Sequence, residues 1–488
     1  MDDSNEDISF AGVPTTPEDL YKLLLFFLAL YLVGDCFCSK ALKIVPSLVG
    51  YILVGIALGP EGLGLLGSAN NESCGALETL VVLGNLGLVL LIVQAGLEID
   101  YETLRLVGPR GVIIAVMGSI FPVAIGTGIA FRYVEENDWR SALAAGCSFG
   151  PTSAGIAMNV LGQCKVLDDA PSSRKDEDDN GGGTSEEETI LHLPVGQLIV
   201  AAAIVDDILA LVVLSQLQAL TSEASDDALS NKALDIAVPI VSAFLWLFGG
   251  GAIALWIFPK VLAQVMPKVD CWKQPKRGSN KSLVFLLGLV YLLLLGTYYS
   301  RASYLLGAFL SGLAFCRDSS GVDKLFREQF EKPMDYLMKL FFAASIGFQV
   351  PVRSFGDISI IGRGFLFALA LTGKFAVGLL APNFYGNSNV DDTSQSSKQY
   401  RGKHLRDCVV VGFSMMGEAE FAFVVALFGV SEGLVPPDIY ASIVFAILLS
   451  TVISPLLLKS TLGFFPYRKK ITSSNQTSSE GINGESRI

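Results

Sequence analysis

The sequence predicts an all-α polytopic membrane protein of thirteen transmembrane helices built on an inverted repeat. Three observations carry this. Of the 488 residues, 51% are hydrophobic and 17% charged, with a mean hydropathy of +0.52; a soluble domain carries about 25% charged residues. Lys and Arg divide very unequally between alternate connecting segments. Two apolar stretches are interrupted by polar residues at corresponding places in the two halves of the chain, and charged residues lie deep in the stretches beside them.

Apolar stretches that can cross a bilayer fall at 19–38, 42–60, 77–97, 111–133, 139–163, 193–220, 233–258, 282–298, 303–317, 333–351, 360–384, 405–430 and 437–460. With the N-terminus outside and the C-terminus inside, 26 of the 35 Lys and Arg lie in inside segments and six outside. Lys22, Lys339 and Lys374 lie within spans. Such an excess is the positive-inside pattern. Residues 1–18 are then an extracytoplasmic acidic tail, 19–460 the transmembrane domain and 461–488 a short cytoplasmic tail. The acidic start lacks the basic region of a signal peptide, so the first apolar run is expected to stay as a span.

Two inside loops are biased. Residues 165–188 contain KDEDD, GGG and SEEE, and 386–403 are rich in Asn, Ser and Gln. Both are expected to be solvated linkers; a cation-attracting vestibule is the other reading of the acidic loop. Asn71-Glu72-Ser73 is a glycosylation sequon in an outside loop, whereas Asn475-Gln476-Thr477 lies inside. The eight cysteines have no metal-ligand spacing, and the only two histidines, His192 and His404, exclude a His-rich metal site. No cofactor and no nucleic-acid partner are expected. His192, Lys339, Asp35, Glu98 and Asp100 fall near span ends and are expected at the interface.

The chemistry is concentrated in four spans. Asp206 and Asp207 are the only charges in Val195–Ala219 and lie near its midpoint. An ionised carboxylate costs several kcal/mol or more in a bilayer, so two side by side point to an ion or proton site. Lys374 is the one charge deep within Ile358–Pro382, roughly 16 Å past Arg363 near its start at 1.5 Å per residue. The fifth span is interrupted at Phe149-Gly150-Pro151-Thr152-Ser153, where Pro removes a backbone donor and Gly adds freedom. The twelfth carries Gly412, Ser414, Gly417, Glu418 and Glu420 within apolar sequence. Glu418 and Glu420 are two apart and face different ways on a helix, so one is expected at the site and the other in a structural pair. Spans four to six run out, in, out; eleven to thirteen run in, out, in. Each triplet has an interrupted middle helix, the pattern of an inverted repeat whose site forms where the breaks meet. Asp and Lys side chains there can offset the half-helix dipoles.

The motifs GYILVGIALGPEGLGLL (around 51–66), LVLLIVQAGLEID (88–100), GPTSAGIAMNVLG (150–162), GQLIVAAAIVDDILALVVL (196–214), FFAASIGFQV (341–350), TGKFAVGLL (372–380) and EFAFVVALFG (420–429) occur in this order. Through them the chain resembles the cation:proton antiporter-2 family of sodium/proton and Kef-type potassium/proton exchangers, over about residues 19–460. The resemblance implies an antiporter fold with two crossed discontinuous helices. It implies a mobile core of helices at about 111–220 and 360–460, and a dimer domain from the remaining helices that makes a homodimer. It implies monovalent cation and proton as substrates, exchanged across the bilayer by alternating access. The family's acid pair maps onto Asp206 and Asp207 and its lysine onto Lys374. In similar proteins the second acid binds the cation or proton and the first pairs with the lysine. Asp207 is therefore the expected carrier. Thr152, Ser153 and unwound backbone carbonyls are the expected further oxygen ligands, Gly150, Pro151, Gly417, Glu418 and Glu420 mark the broken helices and the core of the second half, and Asp206 is the expected partner of Lys374. Many relatives have Arg or Gln where Glu418 stands.

Three other functions use related parts. A cation channel and a sodium-coupled organic-anion symporter fit a similar inverted-repeat scaffold. An intramembrane aspartyl protease also uses two buried acids, but on facing helices, whereas here they adjoin on one helix; no enzyme is expected.

Overall fold

The computed structural model describes residues 17–33, 47–65, 75–97, 99, 101–134, 138–164, 166–168, 189–221, 238–239, 241–260, 280–316, 325–334, 339–383, 396–418 and 420–469. Its helices are α1 Pro17–Tyr31, α2 Ser47–Leu58, α3 Gly75–Leu97, α4 Tyr101–Ala130, α5 Trp139–Cys147, α6 Ala154–Gln163 and α7 Pro194–Thr221. There follow α8 Val241–Lys260, α9 Asn280–Tyr299, α10 Tyr304–Phe315 and α11 Lys339–Phe348. The chain continues with α12 Ile358–Leu380, α13 Ser396–Met415, α14 Glu420–Ser431 and α15 Pro437–Phe464. Among the described residues the only strand pairing is two residues long, Leu167–Asp168 parallel to Arg468–Lys469. Among the described residues six helices are long and apolar enough to cross a membrane, at Leu80–Leu97, Arg110–Ala130, Pro194–Leu214, Val241–Lys260, Ile358–Leu380 and Pro437–Phe464. A helix satisfies its own backbone groups, which is why such segments persist where no water can. Apolar side chains are also turned outward: Leu245, Phe248 and Trp256 of α8 are more than half exposed, as suits a hydrocarbon surround.

The helices pack in two groups. In one, α2 lies against α11, α3 against α10 and α11, and α9 against α10. In the other, α4 packs on α5, α7 and α12, while α15 packs on α12, α13, α14 and α6. Small residues allow these approaches. At α3–α10 a Cβ on Gly312 would collide with the Val93 carbonyl and one on Gly96 with the Phe309 carbonyl, so both backbones meet only because those side chains are absent. Membrane helices associate by such close packing, since lipid supplies no hydrophobic drive between them.

Two boundaries differ from the sequence expectation. Helix α13 begins at Ser396, inside the stretch read as linker, because Lys398, Gln399, Arg401 and Lys403 are good helix formers. At the other end, α15 runs to Phe464 and the chain after it docks. Tyr467 is buried, its hydroxyl donates to Asp407 Oδ1 at 2.7 Å, and the Arg406 guanidinium lies 3.6 Å from its ring centroid. The expected tail 461–488 thus starts as a clip on α13. Asp35, Glu98, Asp100, both sequons, the acidic stretch 169–188 and residues 470–488 lie outside the described residues, as do the side chains of His192, Lys339 and Glu420.

Side-chain caps fix where two helices of the second group start. Asp138 accepts from the Arg140 N–H at 3.0 Å and from the Ser141 hydroxyl at 2.8 Å. Burial acts to raise the Asp138 carboxyl, but the Ser141 hydroxyl and the two backbone donors outweigh it and hold the group below the usual carboxylate range. Asp357 caps α12 by accepting from the Ser359 N–H at 2.9 Å.

Candidate functional site

The two interrupted helices break where their sequences turn polar. Helix α5 ends at Cys147 and α6 begins at Ala154; α13 ends at Met415 and α14 begins at Glu420. Each break frees backbone groups that require partners, and the two breaks supply one another. The Ser153 N–H donates to the Gly417 carbonyl at 2.7 Å. The Thr152 hydroxyl donates to the Met415 carbonyl at 3.3 Å. Neighbouring helices supply the rest. From α15, the Thr451 hydroxyl donates to the Glu418 carbonyl at 2.9 Å and the Ser454 hydroxyl to the Phe413 carbonyl at 2.8 Å. From α4, Ser119 reaches the Gly150 carbonyl at 3.4 Å. From α12, the Lys374 ammonium donates to the Pro151 carbonyl.

The ionisable side chains converge on these breaks. Asp206, Lys374 and Glu418 are fully buried; Asp207, one residue along α7, is half-buried. Asp206 Oδ1 accepts from the Ser119 hydroxyl at 2.7 Å, and Thr152 faces the same carboxyl through its hydroxyl and N–H. Lys374 Nζ lies 3.3 Å from Glu418 Oε1. Thr152 and Ser153 are buried, and Ser153 also caps α6 by accepting from the Ile156 N–H at 3.3 Å. The structure thus brings together Asp206, Thr152, Ser153, Gly150, Pro151, Lys374, Gly417 and Glu418, with Asp207 beside them on α7.

One expected pairing is corrected. Lys374 takes its ion-pair partner from Glu418, whereas Asp206 forms no ion pair with it among the described residues. Lys374 still feels Asp206 electrostatically. The reason is geometric: the unwinding after Met415 brings Glu418 to the Lys374 ammonium, while Ser119 holds Asp206 toward α4. This also assigns Glu418 to the buried cluster.

Sequence reasoning missed Ser119, Thr451 and Ser454. The one signal was a hydroxyl residue within an apolar helix, which ordinarily bonds its own preceding turn. Ser119→Ala is expected to cost about 1–3 kcal/mol, because it leaves a buried carboxylate short of a donor; Ser119→Thr restores most of it. Thermal unfolding of the detergent-solubilised variants checks this.

All-helical architecture, apolar outer surfaces and charges buried at paired helix breaks define a polytopic integral membrane protein. The family model described as sodium/hydrogen exchanger, transmembrane, matches residues 24–462, and the chain belongs to that family. It is 29% identical over 430 residues to a Na(+)/H(+) antiporter of Enterococcus hirae, covering 85% of this chain and 91% of that protein. It is 26% identical over 456 residues to the Na(+)/H(+)-K(+) antiporter GerN of Bacillus cereus, covering 91% and 97%. The structure of the sodium proton antiporter MjNhaP1 from Methanocaldococcus jannaschii at pH 8 superposes with a TM-score of 0.59 at 16% identity, covering 91% of this chain and 98% of that one, so the two share a fold.

Proposed function

We propose that the chain is a secondary active monovalent cation/proton antiporter, for Na⁺ or K⁺, in which cation and protons compete for Asp207 near the bilayer midplane. The observation that carries this reading is the clustering of Asp206, Lys374 and Glu418, all fully buried, at two helix breaks that hydrogen-bond to each other, with Asp207 alongside. Family membership and relatives named for Na(+)/H(+) exchange support it. Asp207 suits the carrier role because it is half-buried, hence less withdrawn than Asp206. A dehydrated monovalent cation needs oxygen ligands, which the Asp207 carboxylate, the Thr152 and Ser153 hydroxyls and break carbonyls supply. A proton on Asp207 removes the charge that holds the cation, so the two exclude each other.

In this reading the thirteen apolar stretches all span, with the N-terminus outside, the C-terminus cytoplasmic and the broken helices crossing. Helices at about 111–220 and 360–460 form a core that moves against a dimer domain within a homodimer, giving alternating access. The test is dissipation of a pH gradient in proteoliposomes holding the purified chain, with Na⁺, K⁺ and Li⁺ added in turn. Saturable proton movement opposite to the added cation is expected. Cation flux with no proton counter-movement would overturn antiport in favour of a channel or a symporter.

A further inference from the structure

We propose that Glu418 is the resident counter-ion of Lys374 and thereby a positioning residue for exchange, keeping the ammonium off Asp206 so that both carboxyls of the Asp pair stay available to cation and protons. This rests on the antiport reading above. The pair is 3.3 Å apart and neither side chain is exposed. Among the described residues, neither carboxylate oxygen of Glu418 has a hydrogen-bond partner, so the ammonium is what compensates this buried charge. The lysine's other bond goes to the Pro151 carbonyl in the first break, and the Glu418 backbone is held by Thr451 of α15. Lys374 therefore ties the first break to the second while Asp206 is occupied by Ser119.

The charged group facing the pair is Asp206 on α7, with Asp207 the next residue along that helix. Helices α4 and α15 and the first break bring hydroxyls instead: Ser119, Thr451, Ser454, Thr152 and Ser153. With Glu418 neutral, the ammonium has no carboxylate of its own. Asp206 becomes its nearest partner, and the site presents one more unit of net positive charge to the incoming cation. Partly offset by Asp206, this repulsion is expected to weaken cation binding by about tenfold, the effect of one unit charge at roughly 12 Å in an effective dielectric constant of about 20.

The experiment measures KM for Na⁺ and maximal rate from proton movement in proteoliposomes for wild type, Glu418→Gln, Glu418→Asp and the double variant Lys374→Met/Glu418→Gln. Glu418→Gln is expected to raise KM about tenfold with a smaller change in maximal rate. Glu418→Asp recovers most of the affinity, and the double variant returns KM toward wild type although it lacks both charges. A merely structural pair would lower yield and melting temperature in the single variants while KM stays at the wild-type value, and that result overturns the proposal. If Glu418→Gln does not accumulate, the double variant decides: KM near wild type supports the proposal and a raised KM overturns it. Wild-type vesicles with no cation-driven proton movement would overturn the antiport reading and this proposal together. Normal wild-type exchange with an unchanged KM in Glu418→Gln overturns this proposal alone.

Discussion

Asp207→Asn is expected to reduce cation-dependent proton movement to the level of protein-free vesicles. Asn keeps the shape of a protonated Asp and carries no proton in exchange, so the site holds neither the charge that attracts a cation nor the group that alternates with it. Expression and melting temperature should stay close to wild type, because Asn matches Asp in size and the substitution opens no cavity. Loss of transport with retained stability is the signature sought, read in proteoliposomes alongside thermal unfolding in detergent. Exchange at the wild-type rate in this variant would remove Asp207 as the carrier.

Lys374→Met is expected to have the largest effect on stability. It takes the cation from between Glu418 and the Pro151 carbonyl and leaves a carboxylate with no exposed surface. Breaking a buried pair by removing one partner costs about 3–5 kcal/mol, because the surviving charge stays desolvated. The variant should melt several degrees lower or fail to accumulate. Adding Glu418→Gln should recover much of the loss, since a neutral amide is far less costly to bury. Unfolding curves for the single and double variants form the cycle that isolates the pair. A Lys374→Met protein that melts with wild type would show that the pair adds nothing to stability.

Much of the site was legible from charge alone. Asp206, Asp207 and Lys374 stood out because an ionisable group in lipid needs a reason to be there. Gly150-Pro151 and the glycine-spaced stretch around Gly417 marked the breaks because each disfavours a continuous helix. The partnerships were less legible. A serine or threonine in an apolar helix looks the same whether it bonds its own preceding turn, as Ser450 does to the Ile447 carbonyl, or reaches another helix, as Ser119 does to Asp206. Glu418 and Glu420 were equal candidates because a two-residue spacing has a definite facing only on a regular helix, and Glu418 lies in the unwound segment before α14.

The amino-acid sequence by itself determined that this chain enters a membrane, where its helices break and which charges lie deep, since all three follow from local hydropathy and backbone chemistry. Only the tertiary structure decided which of the acids holds the lysine and which hydroxyls complete the breaks. Those choices depend on side chains from α4, α7, α12 and α15 meeting within about 3 Å of one another, a proximity set by how the helices pack and not by any residue's own preference.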